Sequence, residues 1–225
     1  MSKRIAVVLA GSGRSDGSEI HESVSVLVHL SRKGWTYRCF APDAPQAEVV
    51  NHAADQVEPG ATRNMLVESA RISRGDITPL DRLDVAAFDA LVMPGGFGAA
   101  KNLCDFASKG PECTVRADVT RVVKGFHAAG KPIGLCCIAP VIAARVLGTA
   151  AGGPGCTVTL GGESGAAAAA RAMGARHEER GVTQACVDRV NRLVTTPAYM
   201  HDARPHEVFD GIGAMVDQVG ALMGV

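Results

Sequence analysis

A short apolar strand that runs directly into two cysteines and then into small residues most constrains the fold of this chain. Residues 131–140 read Lys-Pro-Ile-Gly-Leu-Cys-Cys-Ile-Ala-Pro, which predicts a buried strand that turns sharply into a helix at the cysteines. A side chain at such a turn projects out of the sheet, and the amides of the opening helix point towards whatever binds there. The segment therefore predicts a nucleophile elbow, with a thiol that the helix amides make more acidic.

Only one of the two adjacent cysteines can occupy the exposed turn. If the strand ends at Cys136, the alternation of side chains buries that residue and presents Cys137, which directly precedes Ile138. Pro140 suits the first turn of a helix, where its missing amide would have no partner. Cys137 is therefore the predicted nucleophile, and Cys136 is the alternative.

Strand and helix signals alternate along much of the chain. The aliphatic run 5–9 ends at Gly11-Ser12-Gly13, a helix follows a predicted capping box at 16–19 and stops at Gly34, and a second strand covers 35–40. Further on, the patterns predict a helix near 63–74, strands at 90–93, 157–160 and 192–196, a helix with a buried stripe over 115–126, and a closing helix over 206–225. This alternation predicts a doubly wound, mostly parallel α/β sheet.

The carboxyl ends of three predicted strands carry features that suit a ligand site. They are the glycine turn 11–13, the turn Pro94-Gly95-Gly96-Phe97-Gly98, and Cys137. Ligands of open α/β sheets bind at this edge, so we expect these segments to meet at one pocket. The turn 11–13 lacks the third glycine of a dinucleotide fingerprint, whereas a glycine beside the thiol can offer a bare amide to a substrate oxygen.

Composition narrows the class of protein. The 225 residues are 47% apolar, which is enough for one large aliphatic core, so we expect a single domain over 1–225. Lys and Arg (23) balance Asp and Glu (23) without a basic block, so neither nucleic acid nor a membrane surface is an expected partner. No apolar run is long enough to span a bilayer, and the first is too short for a secretory signal, so we expect a cytoplasmic protein.

The cysteines argue against disulfides and against a metal centre. All seven are scattered, and none forms a CxxC pair or a cluster with histidine at the spacing of zinc ligands. Most are therefore expected to be small buried hydrophobes, and neither a metal nor another cofactor is expected.

Several sequence blocks together resemble one family. The blocks are DGSEIHE (16–22), TRN (62–64), ESARI (68–72), PGGFGAAKNL (94–103), CIAP (137–140) and VTTPAYM (194–200). Their combination is similar to the PfpI-like, type 1 glutamine amidotransferase-like superfamily. The resemblance implies a flavodoxin-like three-layer sandwich, a homodimer, and a glyoxalase III-type activity that converts glyoxal or methylglyoxal and water to a 2-hydroxy acid without metal or glutathione. It also implies an association with isoprenoid production.

The resemblance also implies roles for individual residues. Cys137 matches the nucleophile of the superfamily, the backbone amides of Gly96 and Ile138 match its oxyanion hole, and Glu22 matches the glutamate that approaches the thiol. Glu19 lies one helical turn earlier on a similar face and is the alternative carboxylate. In the implied reaction the thiolate attacks the aldehyde and Glu22 relays protons.

One departure from the superfamily affects the choice of activity. Several of its enzymes place a histidine shortly after the cysteine, but residues 138–159 contain none, which argues against a Cys-His-Glu amidase. His21 and His201 are candidates of lower weight, since a histidine is more often a surface or packing residue.

Three polar residues are possible ligands for a substrate carbonyl or carboxylate, namely Arg63, Lys101 and Asn102. The activities that stay open are the glyoxalase, a cysteine hydrolase or deglycase, and a redox-responsive interaction protein without catalysis.

Overall fold

The middle strands of the sheet are buried on both faces, as their uninterrupted aliphatic sequences predict. The protein is described by a computed structural model that covers residues 2–225. The strands are β1 (Arg4–Val8), β2 (Thr36–Ala41), β3 (Val50–Asn51), β4 (Gln56–Val57), β5 (Ile77–Pro79), β6 (Ala90–Met93), β7 (Ile133–Cys136), β8 (Thr157–Val158), β9 (Arg176–His177), β10 (Cys186–Asp188) and β11 (Leu193–Thr196). The α-helices are α1 (Ile20–Arg32), α2 (Met65–Ile72), α3 (Phe97–Lys101), α4 (Phe106–Lys109), α5 (Ala117–Ala128), α6 (Pro140–Leu147), α7 (Gly165–Ala172) and α8 (Pro205–Leu222).

Seven strands form the main sheet in the order β10-β11-β7-β6-β1-β2-β5. Every neighbouring pair is parallel except β10 and β11. The chain proceeds from β1 to β2 and β5 on one side, and from β6 to β7 and β11 on the other. The strand order therefore reverses between β1 and β6, and such a switch point opens a crevice at the carboxyl edge of the sheet.

Two hydrophobic clusters cover the two faces of the sheet. Successive residues of β1 point to opposite faces and so belong to different clusters. Ile5 and Val7 pack on the side of α1 and α8, whereas Ala6 and Val8 pack on the side of α5 and α6. The result is a three-layer sandwich with the mostly parallel sheet in the middle, so the predicted fold class is confirmed.

The structure departs from the predicted elements in the last third of the chain. The predicted strand 157–160 shortens to β8, which pairs with β9 in a separate small sheet, and β10 adds an antiparallel edge that the pattern does not reveal. Asp188 explains part of this, because its carboxylate accepts the amides of Thr157, Val190 and Asn191 and ties β8 to the β10–β11 turn. A side chain distant in sequence thus decides where these strands end.

The start of α1 also differs from the predicted capping box. Glu19 is the N-cap, and its carboxylate accepts the amide of Glu22. Ser18 accepts the amide of Ala10, and buried Asp16 accepts the amide of Val50, so both polar residues fasten the loop after β1 instead of capping the helix.

None of the helices within residues 2–225 combines the length and apolar character that a membrane crossing requires.

Candidate active site

The turn after β7 holds Cys137 in a strained backbone conformation. Its φ is +58°, which is uncommon for a residue with a side chain, and its amide donates to the carbonyl of Thr196 at 3.0 Å. The side chain of Cys137 is 8% exposed, whereas Cys136 is fully buried at the end of β7. The structure therefore places Cys137 at the elbow and Cys136 in the core, as the alternation predicts.

Two backbone amides face the sulfur of Cys137. The N–H groups of Gly96 and Ile138 both donate towards it, and among residues 2–225 neither has a carbonyl partner. Buried amides without a carbonyl partner are rare, and a pair aimed at one reactive atom can stabilise an oxyanion. The structure thus brings together the predicted oxyanion-hole residues and the predicted nucleophile.

Glu22 reaches the same point from α1. It is fully buried, and one carboxylate oxygen accepts the amide of Gly95 at 2.8 Å while Oε1 has no hydrogen-bond partner among the described residues. Burial, and then the charge of Glu19, raise the pKa of Glu22 from 4.5 to about 7, although hydrogen bonds with Cys137 and the backbone oppose the change. A carboxyl group of this kind exchanges a proton near neutral pH.

Glu19 has a different task from Glu22. Its carboxylate caps α1 and lies 3.9 Å from the ring of His21. Of the two candidate carboxylates, Glu22 is therefore the one in contact with Cys137.

The thiol itself is less acidic than the elbow geometry predicts. Burial, and then the nearby Glu22 carboxylate, raise the pKa of Cys137 above its ordinary value, although the amides of Gly96 and Ile138 act in the opposite direction. The helix-derived acidification expected from sequence does not overcome desolvation. Glu22 must therefore accept a proton before a thiolate is favourable.

Cys136 is the second thiol beside Glu22. Its Sγ donates to Oε2 of Glu22 at 3.6 Å, and burial raises the pKa of this thiol as well. Cys136 has no exposed surface, so it contributes to the setting of Glu22 and offers no accessible sulfur.

The glycine turn after β6 allows the backbone to lie close to Cys137 and Glu22. A Cβ on Gly95 would lie 2.5 Å from Cβ of Cys137 and 2.8 Å from Oε2 of Glu22. Gly96 has a φ of +86°, and a Cβ there would meet the backbone of Glu19 at 2.3 Å. Both positions therefore require glycine, as the pattern Pro-Gly-Gly indicates.

A cleft leads from solvent to the thiol. A cavity of about 410 Å³ contains Cys137 and continues into a second space of about 570 Å³, and the two share four wall residues. The shared residues are Arg14, Glu19, Tyr199 and Met200; the inner cavity adds Gly96, Phe97, Cys137 and Ile138.

Both candidate histidines line the outer space and neither lines the cavity of Cys137. Nδ1 of His21 lies 2.7 Å from the hydroxyl of Tyr199, and Nε2 of His201 lies 2.9 Å from the carbonyl of Arg180. Tyr199 follows Ala198, whose φ of +47° is another strained position beside the site.

The three predicted substrate ligands lie away from the cleft walls. Asn102 donates to the carbonyls of Ala10 and Asp16 and accepts the amide of Ala47. Lys101 pairs with Glu48 and donates to the carbonyl of Ser15.

Arg63, the third of these residues, lies 3.8 Å from Asp16. Together the three side chains fasten the loops after β1 and β2, and the structure does not bring them to Cys137.

Sequence reasoning missed four side chains that shape the cleft, namely Arg14, Phe97, Tyr199 and Met200. Phe97, Tyr199 and Met200 lie inside the sequence blocks that carry the family resemblance, which is the available signal. No sequence pattern marks Arg14 as a cleft residue, because a single arginine in a loop is common. Within residues 2–225 no group of three or more His, Cys, Asp or Glu is arranged to hold a metal ion.

Comparison with known proteins places this architecture in a family. No family profile matches the chain. The sequence is 51% identical over 230 residues to the Homo sapiens "glutamine amidotransferase-like class 1 domain-containing protein 3, mitochondrial", which covers 98% of the chain and 84% of the relative. It is 41% identical over 233 residues to the Danio rerio "ES1 protein, mitochondrial", which covers 96% of the chain and 84% of the relative.

A solved structure agrees with these relatives. An isoprenoid biosynthesis protein with an amidotransferase-like domain from Ehrlichia chaffeensis is 35% identical and superimposes with a TM-score of 0.89, over 97% of this chain and 99% of that one. Structures of ThiJ/PfpI and DJ-1 proteins at 16% and 17% identity share the fold alone, with TM-scores of 0.59 and 0.53.

The expectation of a cytoplasmic location is wrong. Curated relatives from Homo sapiens, Rattus norvegicus and Danio rerio are all named mitochondrial. The expectation rested on the lack of a bilayer-spanning run or secretory signal, and a protein of an organelle interior meets both conditions equally well.

Identity above 40% over nearly the whole chain, together with the superposition on the amidotransferase-like structure, shows the family. The chain belongs to the glutamine amidotransferase-like class 1 domain proteins that include the ES1 proteins.

Proposed function

We propose that the protein is a cofactor-independent glyoxalase III-type enzyme of the ElbB kind, which converts glyoxal or methylglyoxal and water to a 2-hydroxy acid. One observation carries the proposal. Within residues 2–225, the sulfur of Cys137 faces two amides that have no carbonyl partner and a buried carboxyl group whose pKa burial raises to about 7, in a cavity that no imidazole lines.

The first step forms a covalent bond between the enzyme and the aldehyde. Proton transfer from Cys137 to Glu22 accompanies attack of the sulfur on the aldehyde carbon, and the negative charge that develops on oxygen is stabilised by the amides of Gly96 and Ile138. Glu22 then passes the proton to that oxygen, which gives a hemithioacetal and restores the carboxylate. Glu22 suits the transfer because its raised pKa brings it closer to the pKa of the thiol.

The second step is an internal redox reaction. The Glu22 carboxylate removes the proton on the former aldehyde carbon and returns a proton to the neighbouring carbon, while the hydroxyl proton of the hemithioacetal moves to the neighbouring carbonyl oxygen. The former aldehyde carbon is oxidised to a thioester and the neighbouring carbonyl is reduced to an alcohol. Water then cleaves the thioester, which releases lactate and restores the thiol, so no external oxidant or reductant is consumed.

An amidase mechanism is less well supported by this site. Protonation of a leaving amine in cysteine amidases uses an imidazole, and His21 and His201 are directed to the Tyr199 hydroxyl and the Arg180 carbonyl. The Ehrlichia chaffeensis relative is an isoprenoid biosynthesis protein by name. The proposed function includes an association with isoprenoid production, with no substrate assigned to it.

The adjacent cysteines provide a matched test. Cys137→Ser and Cys136→Ser proteins, purified in parallel with the unmodified protein, would be given methylglyoxal in glutathione-free buffer, with lactate measured by NMR. We expect loss of about a thousandfold in kcat for Cys137→Ser and less than about tenfold for Cys136→Ser.

The same reaction in deuterated water tests how hydrogen is transferred between the two carbons of the substrate. Transfer of hydrogen through an enzyme carboxyl group predicts lactate with deuterium at the carbon that bears the hydroxyl group. Full turnover by Cys137→Ser would contradict the proposal, and so would a requirement for added metal or glutathione.

A further inference from the structure

The cleft is much larger than the substrate of a simple glyoxalase. Methylglyoxal has only a handful of non-hydrogen atoms, whereas cavities of about 300–1,000 Å³ hold drug-sized ligands. The cavity at Cys137 measures about 410 Å³ before it joins the outer space of about 570 Å³. Methylglyoxal would leave most of this volume to water, so the cleft has room for a longer molecule beyond the reacting carbon.

The walls change in character along the cleft. Near the sulfur they are mainly apolar, with Phe97, Ile138 and Met200 around Cys137. The outer space has polar walls, which include Arg14, His21 and His201. A substrate that follows the cleft therefore meets apolar surface beside the reacting carbon and polar surface at its far end.

Arg14 is the permanent positive charge in both spaces. Its guanidinium lies 3.2 Å from Asp55, and both side chains are strongly exposed, at 64% and 75%. An exposed pair of this kind contributes about 0–1 kcal/mol, so a ligand can take its place at little cost. Five N–H donors in a plane suit a carboxylate, which they can bind in a bidentate manner.

Two acidic residues also line the cleft. Glu19 lines both spaces, where its carboxylate accepts the amide of Glu22 and lies beside His21. Asp202 lines the outer space and not the cavity of Cys137. Of the residues that the structure describes, Arg14 is the one Lys or Arg among the walls of the two spaces, so it is the residue that a carboxylate tail would meet.

We infer that the substrates of this site are 2-oxoaldehydes extended by a short carbon chain that ends in a carboxylate, which Arg14 binds. This inference rests on the proposed glyoxalase function and specifies its substrate class. The aldehyde carbon lies at Cys137, the chain contacts the apolar walls, and the carboxylate replaces Asp55 on the guanidinium.

A pair of substrates that differ in one charge tests the inference. 4,5-Dioxopentanoate carries the proposed tail, and its methyl ester is the neutral match. We expect kcat/KM for the acid to exceed that for the ester by about tenfold, and Arg14→Gln to remove this preference by lowering kcat/KM for the acid.

Arg38→Gln is the matched control. Arg38 is also an exposed arginine paired with an exposed aspartate, Asp76, but it lines neither space of the cleft. We expect this variant to keep the preference for the acid. Asp55→Asn, which frees Arg14, is expected to increase the preference.

A binding measurement separates failure of this inference from failure of the glyoxalase proposal. The probe is 4-oxopentanoate, compared with its methyl ester, as a protectant of Cys137 against alkylation, resolved by mass spectrometry. Protection by the acid alone that is lost in Arg14→Gln supports the anion site even if no substrate is turned over. Equal turnover or equal protection by acid and ester, or a preference unchanged in Arg14→Gln, would overturn the inference.

Discussion

Two polar clusters lie at the carboxyl edge of the sheet, and they differ in how their hydrogen bonds are satisfied. Around Asn102, the side-chain NH2 group donates to two carbonyls and the side-chain oxygen accepts the amide of Ala47. Around Cys137, the amides of Gly96 and Ile138 and one oxygen of Glu22 lack such partners. Both clusters use the loop after β1, so position in the fold does not distinguish them.

The hydrogen-bond partners of buried polar groups help to distinguish a structural cluster from a candidate active site. Buried polar groups are normally paired, because an unpaired one costs about 1–3 kcal/mol. The side chain of Asn102 completes its own hydrogen bonds, although Oδ1 of neighbouring Asp16 is buried without a partner in the described part of the chain. An unpaired atom alone therefore does not mark a site. The Cys137 cluster combines two amides that, among residues 2–225, have no carbonyl partner with a strained residue and an open cavity, which is the arrangement expected where a substrate oxygen accepts those amides.

Gly95→Ala is expected to have the largest effect on the Cys137 cluster. The new methyl group would overlap Cβ of Cys137, the Glu22 carboxylate and the backbone of Cys136, so we expect about 3 kcal/mol of lost stability and loss of turnover. Gly165→Ala is the control, since no atom lies near the added methyl group at the start of α7. Thermal unfolding and lactate formation measure both effects. Normal activity in Gly95→Ala would contradict the proposed close contact.

Glu22→Gln tests the buried carboxyl group through pH. Because the pKa of Glu22 is about 7 in the folded protein and about 4.5 when exposed, the folded state holds the extra proton between these values. Its contribution to the stability of the wild type is therefore present below pH 4.5 and lost as pH rises through 7, by about 3 kcal/mol in total. Glutamine has no such proton, so the variant gains stability relative to wild type over this range.

Denaturant unfolding at pH 5 and pH 8 measures that change, and a difference between the proteins that is independent of pH would refute it. The same variant should lose most turnover, because no group in contact with Cys137 then accepts its proton.

Asn102→Ala tests whether the cluster around Asn102 stabilises the fold and takes no part in substrate binding. Removal of the side chain leaves the carbonyls of Ala10 and Asp16 and the amide of Ala47 without their partners, so we expect a loss of about 2–3 kcal/mol in the free energy of unfolding. The folded fraction should still convert methylglyoxal with an unchanged KM. A large rise in KM without a loss of stability would instead return Asn102 to the role of a substrate ligand.

Lys101→Met and Arg63→Gln should have the smallest effects. Lys101 pairs with partly exposed Glu48, and Arg63 makes only a 3.8 Å contact with Asp16 and does not line the cleft. We expect each change to cost less than about 1 kcal/mol and to leave kcat/KM for methylglyoxal within about twofold. Denaturation curves and initial rates provide the check.

Prediction from sequence succeeded where local pattern and physical cause coincide. The runs 5–9 and 90–93 are apolar at every position, so they are buried on both faces, and the stripe over 115–126 belongs to α5. The prediction was weaker for β8 and β10, because these strands depend on the carboxylate of Asp188 and on pairing between distant segments.

The site was predictable in part for the same reason. Cys137 is identified by its own strand-to-helix turn, and the glycines at 95 and 96 by their turn pattern. Arg14 and Tyr199 come from opposite ends of the chain, and only the fold brings them into one cleft. The acidity of the thiol was expected from the helix amides, but it is decided by how deeply the surrounding helices bury the sulfur.

The sequence by itself determined the doubly wound sheet and the position of the elbow, because both follow from the order of apolar runs, glycines and turn residues along the chain. The tertiary structure decided which polar groups are satisfied and which stay free for a substrate. It also decided the proton affinity of Glu22, since desolvation and contact with another carboxylate depend on neighbours that sequence distance does not reveal.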